Sequence, residues 1–484
     1  AKKMSSDRLN NRPYQRNIYK RIIVKGMLVL DTPTCLGSGD SDSLTDLALL
    51  RDSVDEDKAL LTGASIAGAL RNYLHEYNPE LGLAKLLFGG ERGDDQGDQS
   101  PLIVNDSVSN EKIDIELRDG VKIDGKTGTA MSKAKYDFEL LSAGTEFPLF
   151  FELLIEEGKD ENQLKQELAI TLSGFENGEI AIGMKKRRGF GRCHVENWQV
   201  WEFDLKDNRQ RLEWLNFEHW NRNLSESRTK ISPISIVLGA IPNDNKRDRF
   251  TITAKFSLIG SMLIRSGQSL QKAEDGKYKK SPDDVHLKSY RPTDKNPIPV
   301  ISGTSLAGVL RHRSVRIINT LEKDLQIVDD IFGTDISDNG NKEAKASRLI
   351  VHESEIKESS ELVQSRIAID RFTGGAMHGA LFDAQPVFSG VVELKLELRN
   401  PKEHEIGLLL LLLKDLWTGD LPIGGESSIG RGRLQGIHAD IFHQEKCHQE
   451  KKWTIHGKDS LKIIQNGAQE SLESYVQKLV NKVE

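Results

Sequence analysis

The sequence predicts an α+β protein made of two tandem ferredoxin-like (RRM-like, βαββαβ) domains with long insertions. Three observations support this fold class. Motifs recur about 240 residues apart, each half begins with an alternating apolar segment, and each half contains two helix-length apolar segments. A chain of 484 residues is also long for one hydrophobic core, so more than one domain is expected.

The first recurring motif introduces a helix in each half, at LTGASIAGALRNYL (61–74) and ISGTSLAGVLRHRS (301–314). The residues that return in this motif are Gly63, Ser65 and Arg71, as Gly303, Ser305 and Arg311. The two serines are predicted to be the N-caps, because serine side chains accept hydrogen bonds from the free N–H groups of a helix start. A Phe-Gly pair follows each helix, at 88–89 and 332–333.

The second recurring motif predicts a hairpin in each half. IDGKTGTAMSKAKYD (123–137) matches IDRFTGGAMHGALFD (369–383) at Asp, Thr-Gly, Ala-Met and a final Asp. A Thr-Gly pair between extended segments is typical of a tight turn. Met131 and Met377 place an apolar side chain beside each turn, and a core position for them is the alternative to an exposed one.

The remaining predicted elements also occur in pairs. They are the opening strands (19–30 and 250–264), the strands after the hairpins (147–155 and 391–398) and the second helices (161–175 and 405–417). A glycine-rich loop and a last strand close each half, which gives the order of the ferredoxin-like motif. We therefore expect a first domain at 1–204, a linker at 205–248, a second domain at 249–445 and a C-terminal extension at 446–484.

The glycine-rich loops are AIGMKKRRGFGRC (181–193) and LPIGGESSIGRGRLQGI (421–437), which align at a shift of about 241 residues. Glycines tolerate positive φ and can turn several N–H groups toward one anion, and nearby basic side chains suit phosphate. The basic candidates are Lys185, Lys186, Arg187, Arg188, Arg192, Arg431 and Arg433. The alternatives are a tight turn packed on a helix and a solvated charged face.

Composition excludes several classes of function. The net charge of −6 argues against indiscriminate nucleic-acid binding, and no apolar run reaches the roughly 18 residues that span a bilayer. The N-terminal segment lacks the apolar core of a secretory signal, and three scattered cysteines fit a reducing cytoplasm. The segment 443–456 has zinc-like residue types without paired spacing, so we expect a solvated tail there and assign no metal ligands.

Together these motifs resemble the RAMP superfamily of CRISPR-associated proteins, and most of all the backbone subunit of type III effector complexes. The most specific stretch is SRIAIDRFTGGAMHGALFDAQPVFSG (365–390). Two units in one chain resemble the tandem-domain backbone subunits of type III-D-like complexes. The resemblance covers nearly all of both halves.

The resemblance implies an RNA-binding role in the prokaryotic cytoplasm. Each unit would hold the CRISPR RNA guide by its phosphates, through the glycine loop and the Gly-x-Ser helix with its arginine. The hairpins would act as thumbs across the guide–target duplex, with Met131 and Met377 wedged between bases. Target RNA, other backbone subunits and the large polymerase-like subunit are the further partners that it implies, and a membrane is not among them.

The resemblance also implies cleavage of target RNA by an aspartate in the loop before each Gly-x-Ser helix. Asp46 is the first candidate, with Asp40 and Asp42 as rivals. In the second unit the candidates are Asp283 and Asp284, of which we choose Asp284 as catalytic. Such a carboxylate could act as general base or hold a divalent cation, Mg²⁺ or Mn²⁺.

Other readings of the function stay open. His286 lies close enough in sequence to Asp284 to assist it. A scaffold that holds the guide and cuts nothing is the main alternative. A guide-processing endoribonuclease is less favoured because His75, His312 and His378 have no counterparts across the halves, and a small-molecule enzyme is disfavoured because no cofactor motif accompanies the repeats.

Overall fold

The structure is a computed structural model. It describes residues 16–38, 48–79, 82–90, 98–220, 233–240, 245–266, 282–334, 344–446, 450–457, 464–467 and 471–481. None of its described helices is both long and apolar enough to cross a bilayer.

The first domain is built on a four-stranded antiparallel sheet. Its strands are β1 (Ile18–Leu30), β3 (Leu102–Val104), β7 (Glu146–Glu156) and β8 (Cys193–Asp204). They lie in the order β3-β7-β1-β8. The short strands β2 (Leu60–Leu61) and β4 (Ser107–Val108) pair beside this sheet.

Three helices accompany this sheet: α1 (Gly63–Tyr77), α2 (Leu83–Phe88) and α3 (Glu161–Glu176). Helix α1 buries Ile66, Leu70 and Leu74, and α3 buries residues at the same four-residue spacing. One apolar stripe therefore faces the core, as the 3.6-residue period of a helix requires. Along the chain the order is β1, α1, β3, β7, α3, β8.

The second domain repeats this arrangement with a longer sheet. Its strands are β9 (Arg249–Ile259), β13 (Lys288–Arg291), β14 (Asp294–Ile301), β15 (Leu349–Val351), β16 (Ser354–Lys357), β21 (Val391–Arg399), β22 (Arg433–Gln444), β23 (Glu450–His456) and β24 (Ile464–Gly467). The main path is β13-β14-β16-β21-β9-β22-β23-β24, and β15 pairs with β21. The predicted strand 250–264 is interrupted at Gly260, whose φ is +73°.

The helices of the second domain are α6 (Gly303–Thr320), α7 (Gln326–Phe332) and α8 (Glu403–Trp417). The leucine run 408–413 lies on α8, which packs between β22 and a last helix, α9 (Leu472–Val480). The close approach of α9 requires Gly407, because a Cβ there would clash with the carbonyl of Tyr475. Burial from two sides explains why leucine occupies most of the circumference of α8.

The C-terminal extension is packed, which corrects the expectation of a solvated tail at 443–456. Strands β23 and β24 extend the second sheet, and the side chains of His443 and Trp453 are buried. Cys447 and His448 lie outside the described residues. The division of the chain at residue 446 therefore separates strands of one sheet.

The described part of the linker packs on the first domain. It contains α4 (Asn208–Leu215) and α5 (Ile234–Val237). The guanidinium of Arg21 lies 4.4 Å from the ring centre of Trp214, and the ring of Phe217 packs edge-on against that of Trp201 on β8. These contacts cover the sheet face opposite the helices.

Two hairpins project from the domains, and we call them thumb 1 and thumb 2. Thumb 1 is β5 (Ile115–Ile123) with β6 (Ala130–Leu141), and thumb 2 is β18 (Gln364–Ile369) with β19 (Ala376–Gln385). At the base of thumb 2, β11 (Arg265–Ser266) and β12 (Asp284–His286) join its sheet in the order β11-β12-β19-β18. The nearby ribbon β10-β20-β17 contains Ser261–Met262, Val387–Phe388 and Ser360–Glu361.

A buried ion network joins the two domains. Arg118 at the base of thumb 1 donates to Glu353 of the second domain at 3.0 Å, and it also pairs with Glu116. Arg291 reaches Glu353 at 2.9 Å, and the Ser289 hydroxyl donates to Glu116 at 3.0 Å. Although burial opposes its charged form, Arg118 and Arg291 lower the pKa of Glu353. The network therefore fixes the base of thumb 1 on the second domain.

Candidate nucleic-acid interface

The Gly-x-Ser helices begin one turn earlier than the sequence predicted. The N-caps are Thr62 and Ser302, whose side-chain oxygens accept from the backbone N–H groups of Ser65 and Ser305. The predicted caps Ser65 and Ser305 lie inside the first turn. Their hydroxyl oxygens are each 2.9 Å from the cap oxygen, so both helix starts have the same local network.

The glycines of these motifs allow close backbone packing. A Cβ at Gly63 would clash with the carbonyl of Val104, and a Cβ at Gly303 would clash with the carbonyls of Val351 and Arg188. The contact to Arg188 comes from the first glycine loop. The start of α6 therefore packs against a loop of the first domain. Among the described residues, the start of α1 has no corresponding contact with the second domain.

The arginines of the same motifs hold the Phe-Gly corners. Arg71 donates to the carbonyl oxygens of Gly89 and Gly90 at 3.3 and 3.4 Å. Arg311 donates to the carbonyl of Gly333 at 2.7 Å and to Asp329 at 2.7 Å. The Gly-x-Ser helix and the Phe-Gly pair of each half therefore form one structural unit, and both arginines are already engaged.

The two glycine loops have the same backbone. Residues Lys185 and Glu426 occupy the left-handed region, a 3₁₀ turn follows, and Gly189 and Gly430 return to the left-handed region. The 3₁₀ turns are Lys186–Arg188 and Ser427–Ile429. Gly191 and Gly432 are required for tight packing within the loops, because a Cβ at either position would clash with a carbonyl of the same loop.

The two glycine loops, which we call loop 1 (181–193) and loop 2 (421–437), differ in charge, which corrects the prediction that both are basic. Glu426, two serines and Ile429 stand in loop 2 where Lys185 to Arg188 stand in loop 1. Arg431 is buried, with Gln364 at 2.8 Å and Glu426 at 3.0 Å, so its guanidinium does not face solvent. Arg433 is exposed at the start of β22.

The basic side chains of loop 1 point in two directions, because a 3₁₀ turn has three residues per turn. Lys185 and Arg188 share one side. The ammonium of Lys185 lies 4.3 Å from the ring centres of Tyr136 and Phe138 on thumb 1, and Arg188 donates to the carbonyl of Phe332 at 3.4 Å. Lys186 and Arg187 lie on the other sides, toward β21.

Loop 1, thumb 1 and α6 meet where the two domains pack, and we call the place where they meet the junction groove. Gly125 at the tip of thumb 1 lies beside His312 on α6. One terminal nitrogen of Arg188, Nη1, is buried without a hydrogen-bond partner among the described residues. Burial and then the neighbouring Arg311 lower the pKa of Arg188. The groove therefore holds desolvated positive charge that an anion would stabilise.

The two thumb turns are closed by the same bonds. The carboxylates of Asp124 and Asp370 accept backbone N–H groups two and three residues later, at 2.7–3.2 Å. Gly128 and Gly374 both have φ of +68°. These bonds explain the repeated Asp-x-x-Thr-Gly pattern as an aspartate-closed turn.

The apolar residues of the thumbs face solvent rather than a core. Met131 is 42% exposed and Met377 is 50% exposed. Phe372 at the tip of thumb 2 is 99% exposed, and the sequence analysis did not single it out. Contiguous exposed apolar side chains on a hairpin indicate a contact surface.

Asp284 lies at the base of thumb 2. Strand β12 pairs with β19 there, and the carboxylate of Asp284 forms an ion pair with Arg265 at 3.1 Å. Arg265 also approaches Glu426 of loop 2 at 3.6 Å, so the structure brings Asp284, loop 2 and thumb 2 together. Asp283 instead accepts the backbone N–H of Asp383 at 2.9 Å. Asp46, Asp40 and Asp42 lie outside the described residues.

His286 does not assist Asp284, which corrects that hypothesis. Its side chain is buried, Nδ1 accepts the N–H of Ile264 at 3.2 Å and Nε2 lies 3.1 Å from the carbonyl of Val300. Burial lowers the pKa of His286 to about 4. Two backbone bonds from one imidazole indicate a structural bridge.

The described residues do not fit a divalent cation held by protein ligands. Within the described ranges, no three His, Cys, Asp or Glu side chains are grouped to hold a metal ion. The carboxylate of Asp284 is also occupied by an arginine.

The sequence analysis missed a group of basic residues on the second domain. Lys395 and Arg399 lie on β21, and His352 directly follows β15 and lies beside Gly189 of loop 1. Lys395 and Arg399 alternate with buried leucines along β21, so their outward orientation was readable from the two-residue period. Their proximity to loop 1 was not readable, because it depends on how the domains pack.

Comparison with known families agrees with this duplicated architecture. The RAMP superfamily profile matches residues 28–194 and 255–435, one match in each half and more than half of the chain in total. The sequence has no significant match among curated proteins. The two matched regions contain both thumbs and both Gly-x-Ser helices. The chain therefore belongs to the RAMP superfamily of CRISPR-associated proteins.

Proposed function

We propose that this chain is a backbone subunit of a type III, type III-D-like CRISPR effector complex, in which it binds the CRISPR RNA guide and cleaves target RNA. Each domain serves as a ferredoxin-like palm, a role supported by the sheet order β3-β7-β1-β8 and its counterpart in the second domain. Neighbouring backbone subunits and the large polymerase-like subunit are the proposed protein partners.

The observation that carries this proposal is the junction groove. The carbonyl of Arg188 packs on Gly303, so the basic side of loop 1 lies at the N-terminus of α6. Helix N-termini favour anions, and Ser305 adds a hydroxyl in the first turn. Lys185 and Arg188 add charge suited to phosphodiesters.

Arg71 and Arg311 contribute to guide binding mainly by holding neighbouring segments in place. Their guanidinium groups brace the Phe-Gly corners and so hold the Gly-x-Ser helices in place. Gly63 and Ser65 occupy the corresponding helix start in the first domain, where the backbone N–H of Gly63 donates to the carboxylate of Asp106 at 2.6 Å, so guide RNA would have to displace that carboxylate. Arg192 and Arg433 complete the proposed set at the ends of the two loops.

Target cleavage is the chemical part of the proposal. Asp46 in the first unit and Asp284 in the second would each accept the proton of a ribose 2′-OH as its oxygen attacks the adjacent phosphate in line. The P–O5′ bond breaks in the same step, which leaves a 2′,3′-cyclic phosphate and a 5′-oxygen that takes a proton from water. Asp284 is placed at the base of thumb 2, where a displaced nucleotide would pass.

A scaffold without cleavage is the second candidate function for the second domain. The ion pair between Asp284 and Arg265 at 3.1 Å favours it, because a carboxylate held by an arginine must lose that partner before it accepts a proton. The two candidates share guide binding and differ only in the fate of the target.

Guide binding is tested by replacing Lys185, Lys186, Arg187 and Arg188 with alanine. We expect affinity for guide RNA to fall about evenly across RNA sequences and the salt dependence of binding to become shallower, because phosphate contacts release counterions without reading bases. Fluorescence anisotropy at several salt concentrations measures both quantities.

The matched control is a second variant in which four basic residues are replaced with alanine. It removes the same charge, but from exposed ion pairs of the first domain and its linker. Its four positions are Lys112, Lys159, Lys206 and Arg209. We expect this control to bind guide RNA nearly as the unaltered chain does. Equal losses in the two variants would show that net charge, rather than loop 1, determines the affinity.

A further inference from the structure

Loop 1 presents a second basic surface, directed away from the junction groove. Lys186 and Arg187 lie on the sides of the 3₁₀ turn that face β21. Arg192 follows at the end of the loop, and the loop packs against β15. None of these three side chains makes a direct ion pair within the described residues, although Glu76 of the first domain lies close enough to act on Lys186 and Arg187.

The second domain opposes this surface with more positive charge. Lys395 and Arg399 point outward from β21, and the backbone N–H of His352 donates to the carbonyl of Lys395 at 3.1 Å. His352 also lies against Gly189 of loop 1. The cations of loop 1 and of β21 therefore face each other across the domain junction.

The acidic residues near this cluster are already engaged. Glu76 pairs with Arg399, and Glu397 lies 3.2 Å from the same arginine. Glu179 binds Arg247 and Arg249 at 2.9 and 3.1 Å. In the described ranges, Lys186, Arg187, Arg192 and Lys395 thus make no direct ion pair of their own, and the nearby carboxylates of Glu76, Glu397 and Glu179 are shared with the arginines that they bind. Such crowding of half-buried cations is unfavourable unless an anion enters.

Two further observations mark the cluster as a site rather than a packed contact. Both ring nitrogens of His352 are buried without a hydrogen-bond partner among the described residues. Burial, then Arg192, Lys395 and Arg399, lower the pKa of His352 to about 3. Burial followed by like charges also lowers the pKa of Lys186 and of Lys395. A neutral imidazole can donate one N–H to an anion in this place.

We propose that Lys186, Arg187, Arg192, His352, Lys395 and Arg399 form an anion site between the two domains that binds a phosphate group. Phosphate fits because it accepts several charge-assisted hydrogen bonds at once from lysine and arginine. The group comes either from the RNA backbone or from a free polyphosphate. The RNA source rests on the proposed function, and the free source does not.

The test uses the full chain with inorganic pyrophosphate as the probe, followed by isothermal titration calorimetry. Lys395→Gln removes one cation from the second domain, and Arg187→Gln removes one from the first domain. We expect each variant to bind pyrophosphate about tenfold more weakly, since each loses one charge-assisted contact. The matched control is Lys255→Gln, an exposed lysine on β9 of the same sheet, which should bind as the unaltered chain does.

The ligand-free stability separates a binding role from a structural one. Without ligand, the melting temperature of Lys395→Gln should equal or exceed that of the unaltered chain, because the substitution relieves repulsion between like charges. The rise in melting temperature on addition of pyrophosphate should be smaller than for the unaltered chain, because the variant binds pyrophosphate more weakly. A lowered melting temperature without ligand would make Lys395 structural and would overturn the proposal. Absence of pyrophosphate binding to the unaltered chain, or equal binding by Lys395→Gln, would overturn it as well.

Competition identifies the source of the phosphate. Displacement of pyrophosphate by guide RNA assigns the site to the RNA backbone, and independent binding of both assigns it to a free phosphate-bearing ligand. Whether the chain binds guide RNA at all is tested by a separate variant. A variant with Lys185 and Arg188 replaced tests the junction groove, and its RNA affinity does not depend on the result at Lys395.

Discussion

At the residue scale, the buried carboxyl group of Glu167 on α3 is the clearest destabilising feature of the first domain. Its side chain is fully buried, and among the described residues its carboxylate has no partner other than the side chain of Gln163. Burial raises the pKa of Glu167 to about 8. The folded chain therefore keeps this group protonated at pH values where the unfolded chain has lost the proton.

This raised pKa makes stability depend on pH. Below about pH 4.5 the carboxyl is neutral in both states and costs nothing. Between about 4.5 and 8 the unfolded state deprotonates first, so the free energy of unfolding falls as pH rises, and above 8 the loss is constant. We expect Glu167→Gln to remove this slope and to stabilise the chain at pH 8 by on the order of 2–3 kcal/mol.

Urea denaturation of both proteins at pH 5 and pH 8 measures this difference. Glu167→Gln keeps the shape and the hydrogen-bonding capacity of a protonated carboxyl, so it should match the unaltered chain at pH 5. A variant that gains no stability at pH 8 relative to pH 5 would contradict the protonated state of Glu167.

The candidate catalytic carboxylates also belong to the residue scale. Asp46→Ala is expected to leave guide and target binding intact and to remove one cut at a fixed position of the target strand. Asp284→Ala should remove a different cut if Arg265 releases the carboxylate. The effects should be independent because the two residues belong to separate domains.

Denaturing gels of end-labelled target, with and without EDTA, measure each cut. The asparagine variants keep the size of the side chain and remove its charge, so they should be nearly as damaging as the alanine variants. Asp283→Ala is the control for the second site, because the carboxylate of Asp283 serves a backbone bond. Both cuts surviving in the double alanine variant would leave the scaffold function.

At the scale of elements, the same turn is used for different tasks in the two halves. Both glycine loops follow one backbone path, but loop 1 carries four basic residues and loop 2 carries a glutamate, two serines and an isoleucine. Loop 1 is covered by the second domain, whereas Ile429 of loop 2 is 59% exposed. Duplication therefore preserved the geometry of the loop while its charge changed.

The thumbs make the testable prediction at this scale. Each thumb is expected to open one base pair of the guide–target duplex, with Met131 or Met377 against the unstacked base. A 2-aminopurine placed beneath each thumb should become fluorescent on binding. Replacement of the methionine by serine should reduce that signal, and replacement by leucine should largely keep it because leucine preserves the apolar contact.

The two thumbs serve as controls for each other. Met377→Ser should alter the signal beneath thumb 2 and leave the signal beneath thumb 1 unchanged. Quenched 2-aminopurine beneath both thumbs in the unaltered complex would show continuous stacking and would refute the wedge.

At the scale of the whole molecule, the buried network around Glu353 determines how the domains sit. Arg118 is 4% exposed and is held by two carboxylates, one from each domain. Arg118→Ala leaves Glu116 without its arginine and Glu353 with Arg291 alone. We expect a loss of about 3–5 kcal/mol at the domain junction, because removal of one partner of a buried ion pair leaves an uncompensated charge.

Calorimetry and small-angle X-ray scattering measure this loss as a separate, lower-temperature transition and a larger radius of gyration. Lys135→Ala is the matched control, since it breaks an exposed ion pair with Asp119 on the same hairpin and should change neither quantity. An unchanged Arg118→Ala chain would mean that other contacts, such as Glu76 with Arg399, hold the domains together.

The sequence by itself determined the features that depend on neighbouring residues. The duplication, the apolar stripes of α1 and α3, and the thumb turns closed by Asp124 and Asp370 all follow from local periods and turn chemistry. The resemblance to the RAMP superfamily rested on the same local motifs, and the family match confirms it. The helix caps were misplaced by three residues because threonine and serine stand at both candidate positions.

Only the tertiary structure decided which charged side chains remain available. Arg431 is as basic in sequence as Arg433, but the first is buried against Glu426 and the second is exposed. His286 lies two residues from Asp284 and is nevertheless occupied by backbone bonds, and Lys395 faces loop 1 from about 200 residues away. Burial and pairing across domains are properties of packed surfaces, and no local pattern in a chain records them.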